Sequence, residues 1–122
     1  MRKLQFTGQA EKSINKLIKR APEIARIIAA QIEKLREEPM PRNATKIVGY
    51  TCYRARVGSY RIIYEFDNDN LLVTIVEKRD KVYQKLKKHY GGFKLQVQHV
   101  GHQQRHHKVS DNRGISKALV DL

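Results

Sequence analysis

The stretch from Tyr53 to Tyr83, YRARVGSYRIIYEFDNDNLLVTIVEKRDKVY, constrains this chain more than any other. Val57-Gly58-Ser59 and Asp67-Asn68-Asp69-Asn70 supply turn residues between runs rich in β-branched and aromatic side chains. Such a pattern predicts three antiparallel strands. Period-two alternation sends Tyr60, Ile62, Tyr64 and Phe66 to one face, and Arg54, Arg56 and Arg61 to the other. One face is expected to be core and the other a row of fixed cations.

The segments before the meander read as its cover. Arg2 to Phe6 predicts a short edge strand with Leu4 and Phe6 on one side, followed by Thr7 as a helix N-cap. Ala10, Ile14, Leu17, Ile18 and Ala21 recur at helical spacing. Pro22 disfavours helical geometry at Ala21 and suits the first position of a second helix, so the chain should turn back there. Ile24, Ile28, Ile32 and Leu35 form the apolar stripe of that helix, with Ala25 and Ala29 small enough for close packing. Pro39 and Pro41 end it. After the meander, residues 81–90 predict a short helix with Val82 and Leu86 on one side and Lys81, Lys85, Lys87 and Lys88 around it.

Composition narrows the function. The chain of 122 residues carries 25 Lys+Arg against 12 Asp+Glu, a formal net charge of +13. Residues 1–90 hold 20 basic and 10 acidic side chains, whereas residues 91–122 hold 5 and 2, so most of the excess lies in the folded part. A polyanion, foremost nucleic acid, is the partner such a charge favours, and an acidic protein could use the same face. The single Cys52 excludes an intramolecular disulfide and fits a buried thiol in a predicted strand. Met1-Arg2-Lys3 leads into no long apolar run, so no signal peptide is expected, and no segment approaches the ~20 apolar residues of a membrane span. A cytoplasmic setting without a membrane partner follows as the expectation.

The domain is expected to occupy residues 1–90. Gly91-Gly92 begins a His/Gln-rich tail, 91–122, expected to be flexible, although Leu95, Val97 and Val100 alternate weakly enough to allow one extended segment. His99, His102, His106 and His107 raise the question of a metal, but there is no cysteine or carboxylate spacing to complete a site. No metal and no small-molecule cofactor is expected.

Tyr53-Arg54-Ala55-Arg56-Val57-Gly58-Ser59-Tyr60-Arg61-Ile62-Ile63-Tyr64-Glu65, followed by Lys78-Arg79-Asp80-Lys81-Val82-Tyr83, resembles the RelE/ParE toxin superfamily of toxin–antitoxin modules. The resemblance covers residues 1–88, and Val48-Gly49 matches a pair that often precedes the meander in that family. It implies an α+β fold, a helical hairpin packed on a small antiparallel sheet in the order β-α-α-β-β-β, with a short C-terminal helix: the microbial-RNase-like RelE fold. The superfamily contains ribosome-dependent mRNA endonucleases and gyrase poisons. The resemblance to the RelE-type branch implies a metal-independent endoribonuclease acting on mRNA in the ribosomal A site, in contact with ribosomal RNA and held in check by a cognate antitoxin. The alternatives are a gyrase-inhibiting toxin of the ParE type and a non-catalytic basic RNA-binding module.

Carried over residue by residue, Arg61, Arg79 and Tyr83 match the catalytic set, and Arg54 and Arg56 match two basic residues, often lysines, on the strand before the tight turn. Lys78 stands where many relatives have histidine and is read as RNA-binding. Cutting RNA without a metal needs the 2′-hydroxyl aligned and deprotonated and the charge on the phosphoryl oxygens stabilised. Guanidiniums meet the electrostatic demand because each presents a planar fork and stays charged. For the same reason an arginine is a poor general base. The candidates for that role are Tyr83, whose free phenol titrates near 10, then Lys78, then Glu65 if it lies on the Arg61 face; for Glu65 an ion pair with Arg61 or Arg56 is the plainer expectation.

Overall fold

The structure is a computed structural model that describes residues 1–91 and the two-residue strand at 109–110. Strand β1 (Lys3–Thr7) runs directly into α1 (Gly8–Arg20), and the junction is a side-chain cap in which Thr7 Oγ1 accepts from Ala10 N at 3.2 Å. The same hydroxyl donates to Thr74 O at 2.7 Å, so one residue both starts the helix and ties it to the sheet. Ala21 separates α1 from α2 (Pro22–Glu37), and Pro22 opens the second helix at a position that needs no backbone donor.

Strands β3 (Tyr53–Val57), β4 (Tyr60–Phe66) and β5 (Asn70–Lys78) form the expected meander, with Val57 paired to Tyr60 across the Gly58-Ser59 turn. Gly58 takes φ +57°, a value the first central position of such a tight turn requires and a side chain would resist. The second turn is closed by Asp67, whose Oδ1 accepts from Asp69 N at 2.8 Å and Asn70 N at 2.7 Å. Those backbone donors hold the Asp67 carboxyl below the usual carboxylate range. Helix α3 (Val82–Tyr90) follows.

Two features of the sheet differ from the sequence reading. An additional short strand, β2 (Ala44–Lys46), pairs antiparallel with β3; its three residues have no alternation long enough to be legible. The sheet is also mixed, because β1 lies parallel to β5, from Lys3↔Asn70 to Phe6↔Val73. On its outer side β1 pairs with β6 (Val109–Ser110), giving the order β2-β3-β4-β5-β1-β6. The expected bare edge is therefore covered at Phe6 and Thr7. The remaining expectations for the tail, including its histidines, lie outside the described residues.

The helical hairpin covers one face. Phe6, Ala10, Ile14, Ile28, Ile32 and Leu35 bury against Ala55, Ile62, Tyr64, Val73 and Val76, as alternation predicts. Tyr60 and Phe66 pack at the margin of this core. The opposite face corrects the idea of a continuous row of cations. A second, smaller core of Cys52, Ile63, Ile75, Val82, Leu86 and Tyr90 lies there, with α3 as its lid. Ile63 and Ile75 are register partners in the middle of that face, so the sheet offers α3 an apolar seat and leaves the arginines only one end. Cys52 lies just before β3 rather than within it, fully buried, and burial followed by the charge of Glu65 pushes its thiol up to about 12. Among the described residues no helix is long and apolar enough to cross a membrane.

Candidate functional site

The arginine end is built by the tight turn. Arg56 and Arg61 sit directly opposite each other on β3 and β4, and Arg54 lies two residues along the same face. Asn43 fixes the strand from outside: its carbonyl accepts from Arg56 N at 3.0 Å, and its Nδ2 donates to Arg56 O at 2.8 Å. Beyond β5, Arg79 N donates to Ser59 O at 2.8 Å, which brings the residue after the last strand against the turn between the first two. Three distant parts of the chain thus meet at one corner.

The side chains meet there too. Arg61 Nη1 donates to Gly58 O at 2.9 Å and to Tyr60 O at 2.8 Å, so its guanidinium is folded over the turn by backbone carbonyls. Desolvation, and then the nearby charges of Arg56, Arg54 and Arg79, press its pKa below the ordinary guanidinium value, while Tyr83 acts in the opposite direction. Three further guanidiniums and one phenol thus lie within electrostatic reach of Arg61. None of the four arginines has an ion-pair partner among the described residues. Arg54 Nε is buried without a hydrogen-bond partner. Tyr83, on the first turn of α3, is 55% exposed although its neighbour Val82 is buried.

Two sequence-named residues are placed elsewhere. Lys78 pairs with Tyr60 rather than Arg61, so it belongs to the opposite face of the sheet. Glu65 lies four residues from Arg61, about 13 Å at ~3.3 Å per strand residue. Its carboxylate accepts from the buried Tyr90 hydroxyl at 2.6 Å, with Thr74 Oγ1 at 3.1 Å from that hydroxyl. Burial, and then Glu65, raise the Tyr90 pKa, keeping the phenol a donor. Thr74 is the extra residue at a β-bulge, since Ile63 pairs with Ile75 but Tyr64 pairs with Val73. The carboxylate opposite Arg61 is instead Glu77, which pairs with Lys85 Nζ at 2.7 Å and accepts from Lys78 N at 3.0 Å.

Sequence reasoning passed over a second basic feature. A cleft of about 1020 Å³ opens between α1 and the junction of β5 with α3, lined by Lys12, Lys16 and Arg20 on one wall and Lys78, Lys81 and Lys85 on the other. The available signal is the even spacing of Lys12, Lys16 and Arg20 along α1.

The family model for the ParE toxin of the type II toxin–antitoxin system parDE matches residues 4–83. No curated protein matches the chain in sequence. Among solved structures, the YoeB/ParE toxin from Agrobacterium tumefaciens is 14% identical with a TM-score of 0.58, covering 65% of this chain and 99% of that one. The E. coli DinJ-YafQ toxin-antitoxin complex has a chain 16% identical with a TM-score of 0.56, covering 67% and 97%. The archaeal RelE-RelB complex from Pyrococcus horikoshii OT3 gives 24% identity and a TM-score of 0.54, covering 64% and 94%. These likenesses are to the fold, and the family model spans the arginine corner from β1 to Tyr83. The chain belongs to the ParE toxin family, within the RelE/ParE superfamily of type II toxin–antitoxin systems.

Proposed function

We propose that this toxin is a metal-independent endoribonuclease that cuts mRNA at the ribosome and so stops translation. The observation that carries the reading is the corner of Arg54, Arg56, Arg61 and Arg79 beside Tyr83, cationic, without carboxylate partners and open to solvent at the phenol. A gyrase-binding surface has no need to gather guanidiniums around a phenol. A phosphodiester does, because negative charge grows on its equatorial oxygens during transfer.

In this mechanism Arg54 and Arg56 grip the flanking phosphates, and Arg61, already fixed through Nη1, turns its remaining nitrogens to the scissile one. The 2′-oxygen attacks phosphorus and the bond to the 5′-oxygen breaks, leaving a 2′,3′-cyclic phosphate. The 2′ proton passes to the Tyr83 hydroxyl oxygen as that hydroxyl releases its own proton to water; Arg79 hydrogen-bonds to the departing oxygen, which takes its proton from water. Of the residues named from sequence, Tyr83 alone offers an oxygen at this corner, since Lys78 belongs to the other face and Glu65 is engaged by Tyr90. The exposed ring also suits stacking on an unpaired base, worth about 1–3 kcal/mol. The cognate antitoxin would be an acidic or amphipathic segment that covers the basic surface. Solved relatives in complex, such as DinJ-YafQ and RelE-RelB, support that part.

The test is induced expression of the wild type beside Arg79→Ala and Tyr83→Phe, with primer extension on translated messages. Codon-positioned cuts in the wild type that vanish in Arg79→Ala are the expected outcome. The ParE family model favours a second reading, gyrase inhibition. Intact messages together with loss of gyrase supercoiling by the purified toxin would establish that one instead.

A further inference from the structure

The cleft is distinct in position from the arginine corner. Beyond Val73, β5 has lost its partner β1, which ends at Thr7 and turns into α1. The edge of β5 from Val76 to Lys78 therefore faces a gap whose walls are α1 on one side and the start of α3 on the other. Leu17, Tyr60 and Val76 contribute its apolar lining. Lys12, Lys16 and Arg20 recur every four residues, a rise of about 6 Å per step at ~1.5 Å per helix residue, comparable with the spacing of successive phosphates along a nucleic-acid strand. Lys78, Lys81 and Lys85 face them. Of these six cations only Lys85 forms an ion pair among the described residues, with Glu77. Glu11 is the other carboxylate of the lining.

Gathering unpaired like charges along two facing walls raises the energy of the fold, and an anion lying between them relieves it. An isolated phosphate would need one or two such side chains. Three unpaired cations on the α1 wall facing Lys78 and Lys81 match a continuous polyanion, and the even pitch along α1 matches a strand of phosphates. Tyr60 in the lining adds an aromatic surface against which a base can rest.

We propose that this cleft is a second RNA-binding site, a groove that holds the sugar–phosphate backbone of an RNA strand separate from the one at the arginine corner. The assignment rests on the RNA-directed reading of the chain only for the identity of the polyanion. In the full chain the groove anchors the toxin on a structured RNA while the corner engages the strand to be cut. Lys78 immediately precedes Arg79 and Lys81 follows Asp80, so a bound RNA approaches the corner from the groove side.

The probe is a labelled 2′-O-methyl oligoribonucleotide, about twenty nucleotides long, which cannot be cleaved through its 2′-oxygens. Its affinity is measured against salt for the wild type and for the combined variant Lys12→Ala, Lys16→Ala, Arg20→Ala, all three sites being exposed on α1. Removing three phosphate contacts should weaken binding at least tenfold at low salt and reduce the slope of log affinity against log salt by about 2, at ~0.7 per contact for a single strand. Lys78→Ala with Lys81→Ala, on the other wall, should lower the slope by more than 1. The loss should have the same size in an Arg61→Ala, Arg79→Ala background, since independent sites add. Unchanged affinity and slope in both wall variants overturn the groove, as does a loss confined to a poly-glutamate competitor, which would make the cleft a protein-docking surface. Absence of message cleavage with these binding losses intact counts against the nuclease and leaves the groove standing.

Discussion

One face of the sheet holds two polar clusters with opposite fates. At the turn end, Arg54, Arg56, Arg61 and Arg79 gather with none of them in an ion pair among the described residues, since Glu77, opposite Arg61, is held by Lys85. At the other end, Glu65, Tyr90, Thr74 and Cys52 form a covered cluster in which the Tyr90 hydroxyl joins α3 to β4. Between them lies the apolar seat of α3, Ile63, Ile75, Val82 and Leu86. Satisfied and buried polar groups specify where a helix docks, whereas unsatisfied like charges at a surface only cost stability unless something external answers them. The face is thus divided between a part that holds α3 and a part that waits for a ligand, and α3 touches both, because Val82 is buried in one and its neighbour Tyr83 is open beside the other.

That division can be broken from either side, and the largest effect should come from the cationic end. Arg61→Ala or Arg79→Ala should each lower single-turnover cleavage of ribosome-bound message by about 10²–10³-fold, the usual cost of losing one preorganised charge-stabilising donor. Thermal unfolding of the same proteins should show no loss of stability. A large loss of stability in either would mean that the corner is structural.

Leu86→Ala should do the reverse, destabilising the domain by about 2–5 kcal/mol in a urea titration through lost burial and a cavity under α3. It should also depress cleavage by loosening the helix that carries Tyr83. If cleavage survives while stability falls, Tyr83 does not need its helix seated, and the shared role of α3 fails.

The covered cluster should also declare itself in the pH dependence of stability. Cys52 keeps its proton to about 12 in the folded protein, whereas an unfolded cysteine loses it near 8.5. Above that lower value the unfolded chain binds fewer protons than the folded one, so stability falls as pH rises. The Cys52 contribution is complete below about pH 8.5 and disappears on the way to 12, with a slope of at most ~1.4 kcal/mol per pH unit for one proton. Between about pH 8.5 and 10, before unfolded tyrosine titrates, Cys52→Ala should flatten the decline measured in urea. An equal slope in wild type and variant would show that the thiol is not held in this cluster.

Much of this was legible in the chain before any coordinates. Thr7, Pro22, Gly58 and Asp67 act through local backbone chemistry, so the element boundaries they set are written beside them in sequence. Alternation identified the hairpin-facing core of Ile62 and Tyr64. The second core escaped because Ile63 and Ile75 share parity with arginines, and only the register of β4 on β5 together with α3 shows that the middle of that face is covered. Glu65 escaped for a related reason, since the bulge at Thr74 and the reach of Tyr90 from the far end of α3 are both non-local. Lys78 lies apart from the corner because its neighbour Arg79 is held there while strand alternation turns Lys78 itself to the opposite face.

The smallest predicted effect is the most direct measure of the division. Arg56 and Arg61 are cross-strand partners of like charge, an arrangement that destabilises a sheet where opposite charges would contribute roughly 0.2–1 kcal/mol. Arg56→Gln removes the repulsion and keeps most of the side-chain length, so it should raise stability by a few tenths of a kcal/mol at low salt, with the gain shrinking as salt screens the pair. The same variant should bind RNA less tightly, with a shallower salt dependence, having lost one phosphate contact. A gain in stability with a loss in binding is the signature of a charge kept for its ligand. If Arg56→Gln is neutral or destabilising at low salt, the guanidiniums are already accommodated by the fold, and the contrast between the two ends of the sheet does not hold.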